Sequence, residues 1–196
     1  MTEGEKEEVW FHSLEMVKGR AKVVFGTGSN NTAHAVELSQ KAEALGADGL
    51  LVVTPYYNKC TQNGIYEYYK TVANAVHIPI ICYNVPPRTG VNILPATMEK
   101  IASIDNIAGI KEACGNMEQI CETMRRIRGK CDLYSGDDNL NLPILAIGGT
   151  GLISVASNII PKETKALYNF MKAGDLKSAN EIQDRMLPLI DAMFME

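Results

Sequence analysis

Asn106-Ile107-Ala108-Gly109-Ile110-Lys111-Glu112-Ala113 is a short apolar run that ends on a lysine rather than on a loop glycine. Such a run reads as a buried strand. A second one, Ile80-Ile81-Cys82-Tyr83-Asn84, ends on a tyrosine, and Tyr83 precedes Lys111 by 28 residues. If the two strands lie parallel in one barrel, their ends stand side by side and the lysine amine approaches the phenol. An amine at the dry end of a strand has a lowered pKa and attacks a ketone as the neutral base. A lone lysine here would read as a side chain snorkelling out of a core strand. The pairing with Tyr83, and the motifs around both residues, favour chemistry.

Working outward, the same strand-and-helix rhythm recurs. Residues 2–18 open with Thr2-x-x-Glu5, a capping-box pattern, and put Trp10, Leu14 and Val17 on one helical face. Lys22-Val23-Val24-Phe25 predicts a strand running into Gly26-Thr27-Gly28-Ser29-Asn30-Asn31-Thr32. That turn resembles a phosphate loop, but residue 31 is Asn where the dinucleotide fingerprint requires its third Gly, and there is no Walker lysine. A tight strand-to-helix turn is the expectation. Ala35, Leu38, Ala42 and Leu45 form a helical stripe stopped by Gly46, and Gly49–Thr54 is a strand closed by Pro55-Tyr56-Tyr57-Asn58. Two adjacent tyrosines at a strand end point in different directions, one to a site and the other to an interface. Ile65, Tyr69, Val72 and Val76 predict a helix broken by Pro79.

Pro86-Pro87-Arg88-Thr89-Gly90 is a rigid loop carrying one arginine over the strand ends, a surface turn or a carboxylate clamp. A helix runs from Pro95 through Ile101. Beyond the lysine strand, Asn116 caps a helix with Met117, Ile120, Met124 and Ile127 inward, and that stripe, Cys121 included, reads as core. Asp132–Ser135 is a strand, Leu140–Ile147 a helix, and Leu152–Val155 a sixth strand before two closing helices, the last kinked at Pro188. Gly136-Asp137-Asp138 lacks a histidine or third carboxylate at ligand spacing, so a cap and turn, not a metal, is expected. His12, His34 and His77 fall on helices or helix ends and receive no chemical role.

Strand and helix alternating at steps of 20 to 30 residues describe a parallel α/β protein. Polar residues cluster where the strands end, the face on which a (β/α)8 barrel carries its active site. Six strands are counted rather than eight, and such barrels typically need about 250 residues against the 196 present. A single domain over residues 1–196 is expected, either an open α/β sheet or a TIM barrel truncated to about six βα units. A net charge of −4 argues against nucleic acid or acidic membrane surfaces as partners. The longest uncharged stretches are broken by Gly, Asn and Ser, which argues against a membrane span, and the acidic, helix-patterned start is not expected to be a signal peptide. Five cysteines without a C-x-x-C pair suggest reduced thiols in a cytoplasmic protein.

At Gly26-Thr27-Gly28-Ser29-Asn30, Thr54-Pro55-Tyr56-Tyr57-Asn58-Lys59, Tyr83-Asn84-Val85-Pro86-Pro87-Arg88-Thr89-Gly90, Gly109-Ile110-Lys111-Glu112-Ala113 and Ser135-Gly136-Asp137-Asp138 the chain resembles the dihydrodipicolinate synthase family. The resemblance runs from about residue 3 to the end. The Tyr-Asn-Val-Pro-x-Arg-Thr-Gly run separates it from sialic acid lyases and ketodeoxygluconate aldolases. It implies a Schiff base between Lys111 and pyruvate, whose enamine adds to aspartate 4-semialdehyde in lysine and diaminopimelate biosynthesis. Tyr83 would relay protons, and Tyr57 would reach across a tight dimer interface to complete that relay. Arg88 would hold the carboxylate of the semialdehyde, and the Ile153 carbonyl and the backbone around Gly136 would line the pyruvate pocket. No metal and no organic cofactor are implied, and a homo-oligomer, dimer or tetramer, is expected.

Asn30 and Tyr56 match effector contacts of lysine-inhibited members, but His34 stands where a glutamate is expected, which argues against feedback inhibition. The family's first two strands, with a Gly-Thr-Thr-Gly-Glu turn, and its last helices are not matched, so two raw sheet edges are expected. The alternatives are another pyruvate-dependent lyase of the superfamily, or an inactive fragment that only associates with other subunits.

Overall fold

The first helix, α1 (Glu3–Val17), begins where the capping box places it: the Thr2 side chain accepts the Glu5 N–H, and the Glu5 carboxylate accepts the Thr2 N–H. In this computed structural model residues 1–195 are described, and Glu196, the last of the closing Met-Phe-Met-Glu, lies outside them. Trp10 of α1 is buried and stacks on Phe25 of β1 (Val24–Gly26), with ring centroids 5.0 Å apart. Asn31 then caps α2 (Thr32–Leu45), its side chain accepting the N–H groups of Ala33 and His34, and Gly46 ends it at φ +96°. From there the chain alternates through β2 (Gly49–Val53), α3 (Gln62–Ala73), β3 (Ile80–Asn84), the single turn α4 (Pro86–Thr89) and α5 (Pro95–Ile101). It continues with β4 (Ile107–Glu112), α6 (Met117–Ile127), β5 (Asp132–Ser135), α7 (Asn141–Ala146), β6 (Gly151–Leu152), α8 (Pro161–Ala173) and α9 (Leu176–Ala192).

The six strands form one sheet in sequence order, every neighbouring pair parallel. Consecutive parallel strands require a crossover each time, and a helix supplies it. Among the described residues β1 and β6 are each paired on one side only. Helices cover the sheet, so its strands carry apolar residues almost without interruption: Leu50, Val52, Ile80, Cys82, Ile110 and Leu133 are all fully buried. Ile65, Tyr69, Ile101, Ile120 and Ile127 pack on them from the helices. A second, smaller core joins Leu167 of α8 to Ile182, Met186 and Ile190 of α9.

Several boundaries differ from the sequence reading. The sixth strand is two residues, not four, because Ile153 leaves the ladder after donating its N–H to Ser135 O and Ala156–Asn158 coil into a 3-10 turn. The Pro86–Gly90 loop is a helical turn closed by the Gly90 N–H on Pro86 O. Helix α3 ends at Ala73, short of Pro79, although Val76 is still buried. Leu45 is exposed at the end of α2, and Cys121 is exposed on α6 rather than in its core stripe, since the buried residues of that helix are Ile120, Thr123, Met124 and Ile127. A helix buries only the arc its neighbours cover, and Cys121 lies outside it. All five cysteines are unpaired.

The glycine-rich turn after β1 is tight for a visible reason. A Cβ on Gly28 would lie 2.5 Å from Val53 N and 2.8 Å from Val53 O, backbone atoms of the neighbouring strand end. Gly28→Ala is therefore expected to destabilise the fold by about 1–3 kcal/mol, the usual cost of overpacking. Urea denaturation measures this, and an unchanged midpoint would show that the turn can open without cost.

Candidate active site

The parallel pairing of β3 with β4 sets the site. Tyr83 stands opposite Lys111, and Asn84 opposite Glu112. Lower in the same pair the register shifts: Ile80 faces Ile107 while Ile81 faces Gly109, leaving Ala108 as an extra residue in β4. Lys111 Nζ lies 4.2 Å from the centroid of the Tyr83 ring, over its face. An ammonium in that place is attracted by the ring quadrupole.

Room for the lysine comes from β5. Gly136, just beyond that strand, has no space for a side chain: a Cβ there would sit 2.8 Å from both Cγ and Cε of Lys111. The lysine stem occupies the volume that any other residue at 136 would claim, and Lys111 is left only 8% exposed. Burial pushes its pKa below the ordinary value, while the Asp138 carboxylate pulls the other way. Asp138 accepts the N–H groups of Val155 and Ala156, each at 2.9 Å, and Asn141 Nδ2 at 3.0 Å. Tyr83 is half-buried, and burial raises its phenol pKa against the opposing effect of Arg88. The two shifts run in opposite directions, so burial favours an uncharged amine next to an uncharged phenol.

Arg88, in α4, stands over the same strand ends. The turn is stitched by Arg88 and Thr89 N–H bonds to Val85 O, and Thr89 O accepts the Tyr57 N–H at 3.1 Å. A cavity of about 410 Å³ opens here, with Tyr83, Arg88, Ala113, Gly136, Asp137 and Val155 among its walls. Another, of about 440 Å³, lies towards β2 and is bounded by Gly28, Val53, Tyr56, Tyr83 and Arg88. Tyr83 and Arg88 thus belong to both.

Lys111, Tyr83, Gly136 and Arg88 are brought together. Tyr57 is not: it is 88% exposed, at φ +75°, beside the Arg88 turn. Ile153 follows β6, but Val155 rather than Ile153 forms the cavity wall. Tyr56 lines the second cavity, whereas Asn30 is exposed on the turn before α2. His34 pairs with Glu3 of α1 at 3.4 Å and with Glu37 at 3.7 Å. The sequence predicts a cap and turn for both aspartates after β5. Asp137 does cap, accepting the Asn139 N–H, but Asp138 is buried and is the charge that acts on Lys111. An acidic residue two positions after the glycine that accommodates the lysine was the available signal.

A model of the dihydrodipicolinate synthetase family matches residues 1–196. The chain belongs to that family. The 4-hydroxy-tetrahydrodipicolinate synthase of Caldicellulosiruptor bescii is 49% identical over 196 residues, covering 100% of this chain and 66% of the relative. The crystal structure of dihydrodipicolinate synthase from Aquifex aeolicus superposes with a TM-score of 0.97 at 46% identity, over 100% of this chain and 67% of that one. A chloride-inhibited dihydrodipicolinate synthase from Acinetobacter baumannii, crystallised with pyruvate, gives 0.97 at 38% identity over 100% and 67%. The chain thus spans about two thirds of the length of the curated relatives it matches. Its six-stranded sheet is a curled arc of the family's TIM barrel.

The buried lysine makes a pH-dependent contribution whose sign is fixed. The unfolded lysine keeps its proton up to its ordinary value of 10.5, whereas the folded one releases it at lower pH. As pH falls through that window the unfolded state binds the proton first, so stability drops; below the folded value the whole penalty is present. Lys111→Met is expected to raise the urea midpoint at pH 7, with the gain disappearing above pH 10.5. An equal gain at both pH values would show that the lysine carries no such shift.

Proposed function

We propose that Lys111 is the nucleophile of a class I aldolase-type condensation, and that the chain acts as a 4-hydroxy-tetrahydrodipicolinate synthase. The observation that carries this reading is the Lys111 amine, buried, over the Tyr83 ring and with a depressed pKa. Such an amine attacks the ketone carbon of pyruvate, and loss of water from the carbinolamine leaves an imine. Water leaves as the carbinolamine oxygen takes up a proton. Tyr83, whose phenol stays protonated well above neutral pH, is the acid placed to give it. Loss of a methyl proton then turns the imine into an enamine. Its carbon adds to the aldehyde of aspartate 4-semialdehyde, and attack of the product's own amine on the imine carbon closes the ring and frees Lys111.

Arg88, shared by both cavities, is suited to hold the carboxylate of the incoming semialdehyde in a bidentate pair. Gly136 keeps the lysine volume open, and its backbone with that of Ile153 is assigned to the pyruvate side of the pocket. Tyr57, exposed beside the Arg88 turn, is assigned to a contact with a second subunit, which makes the protein a homo-oligomer. Asn30 and Tyr56 are kept as effector contacts; His34, engaged by Glu3 and Glu37, gives such a site no added carboxylate. Neither metal nor organic cofactor is needed, because the protonated imine is itself the electron sink. Five unpaired thiols accord with a reducing, cytoplasmic setting, and no helix of the described residues is long and apolar enough to cross a membrane.

Mixing the chain with pyruvate and borohydride, then measuring intact mass, tests the reading. A reduced pyruvyl adduct on Lys111 is expected, absent from Lys111→Ala. Tyr83→Phe should form it about 10²- to 10⁴-fold more slowly, the usual loss of a general acid. Gly136→Ala should also suppress it, by displacing the lysine stem. A folded wild-type chain that forms no adduct would refute the proposal.

A further inference from the structure

Side chains alternate across a strand, so the residues after Tyr83 and Lys111 point to the opposite face of the sheet. These are Asn84 and Glu112, both fully buried and opposite each other at the next register position. Asn84 Nδ2 donates to both carboxylate oxygens of Glu112, at 3.0 and 3.2 Å. The same nitrogen donates to Asn92 Oδ1 at 2.9 Å, and Asn84 Oδ1 accepts the Ile93 N–H at 2.9 Å. Glu112 Oε1 also accepts the Cys114 N–H, at 2.9 Å. Outside this pair, Asn92 and Gln119 of α6 exchange reciprocal amide bonds of 2.7 and 3.0 Å. The network therefore ties the ends of β3 and β4 to the segment before α5 and to α6.

Replacing buried ionic groups by apolar residues of similar size is often neutral or stabilising, so a buried carboxylate held by an amide and a backbone N–H, without a cation, calls for a reason other than stability. Burial raises its pKa, against the opposing bonds from Asn84 and Cys114. What such a pair supplies is a single register. That matters in this pair of strands, because β4 carries an extra residue at Ala108 and the uniform ladder is already broken below the site. A slip of one residue would turn Lys111 to the helix side and Glu112 into the cavity.

The geometry points to Asn84 and Glu112 as positioning residues that lock the register holding the Lys111 amine over the Tyr83 ring. Their effect on rate rests on the reading of Lys111 as the amine that condenses with pyruvate; their effect on geometry does not. Glu112→Gln keeps the size and, at Oε1, the acceptor shared by the Cys114 N–H and Asn84 Nδ2, but it removes the charge and sets an NH2 group against Asn84 Nδ2 at the 3.2 Å contact. The double variant Asn84→Asp/Glu112→Gln again sets one donor against one acceptor between the strands and moves the charge to β3, the Asn92 and Gln119 amides turning over so that Asn92 donates where it had accepted from Asn84.

Two measurements separate the two readings. Protons on Cε of Lys111, lying over an aromatic face, are shifted upfield in lysine-selective NMR spectra, and Tyr83→Leu identifies that signal by removing the shift. Glu112→Gln is expected to collapse the shift and, in protein shown folded by circular dichroism, to lower the maximal rate of borohydride trapping by about 10- to 100-fold, the cost of misplacing a reacting group. The double variant is expected to recover both. A Glu112→Gln chain with wild-type shift and trapping rate would overturn the inference. If Glu112→Gln fails to fold, the double variant decides: recovery of the shift supports it, and a folded double variant lacking the shift overturns it. A wild-type chain that traps no pyruvate but loses the shift on Glu112→Gln would refute the Schiff-base reading and leave the positioning role standing.

Discussion

The rest of the site depends on the register between β3 and β4. Parallel strands bring equivalent ends to one side, and the pairing of Tyr83 with Lys111 sets an amine against a phenol. Dry surroundings then act on both groups, lowering the amine pKa and raising the phenol pKa. One physical cause, loss of water from around two adjacent groups, thus prepares a nucleophile and an acid together. Neither shift requires a special partner residue, only the arrangement that excludes solvent.

Excluding solvent around a long side chain requires space of the right shape, and the neighbouring strands provide it by omission. Gly136 leaves the lysine stem its volume, and Gly28 lets the first strand's turn close against Val53. Asp138, fixed by two backbone N–H groups and an amide, opposes the lysine's desolvation from a defined place. The same carboxylate draws Val155 and Ala156 in, so the wall of the cavity and the charge near the amine are parts of one device. Arg88 completes the mouth from a helical turn whose proline pair limits its freedom.

Much of this was legible in the chain. Caps and breakers are local: Thr2, Asn116 and Pro95 mark helix starts, and Gly46 ends a helix at positive φ because a Cβ is strained there. The spacing of Tyr83 and Lys111 survived as the true register. What was misread lay where neighbours decide. Cys121 follows the buried Ile120 yet faces solvent, and residues 153–155 are apolar enough for a strand yet bend away under the pull of Asp138 on Val155. Tyr57 is a different case: it stands exposed in a left-handed conformation, apart from Tyr83 and Lys111, where the resemblance puts a contact with a second subunit.

By itself the sequence determined the α/β rhythm, the parallel strands, the family and the lysine at a strand end. Each of these is written in short-range patterns of apolar residues, glycines and prolines. Only the tertiary structure decided that Gly136 gives its space to Lys111, that Asp138 rather than Asp137 is the buried charge, and that Asn84 and Glu112 hold each other behind the site. The reason is physical. Desolvation, excluded volume and buried hydrogen bonds depend on which atoms from distant strands come within a few ångströms, and that is fixed only once the sheet has formed.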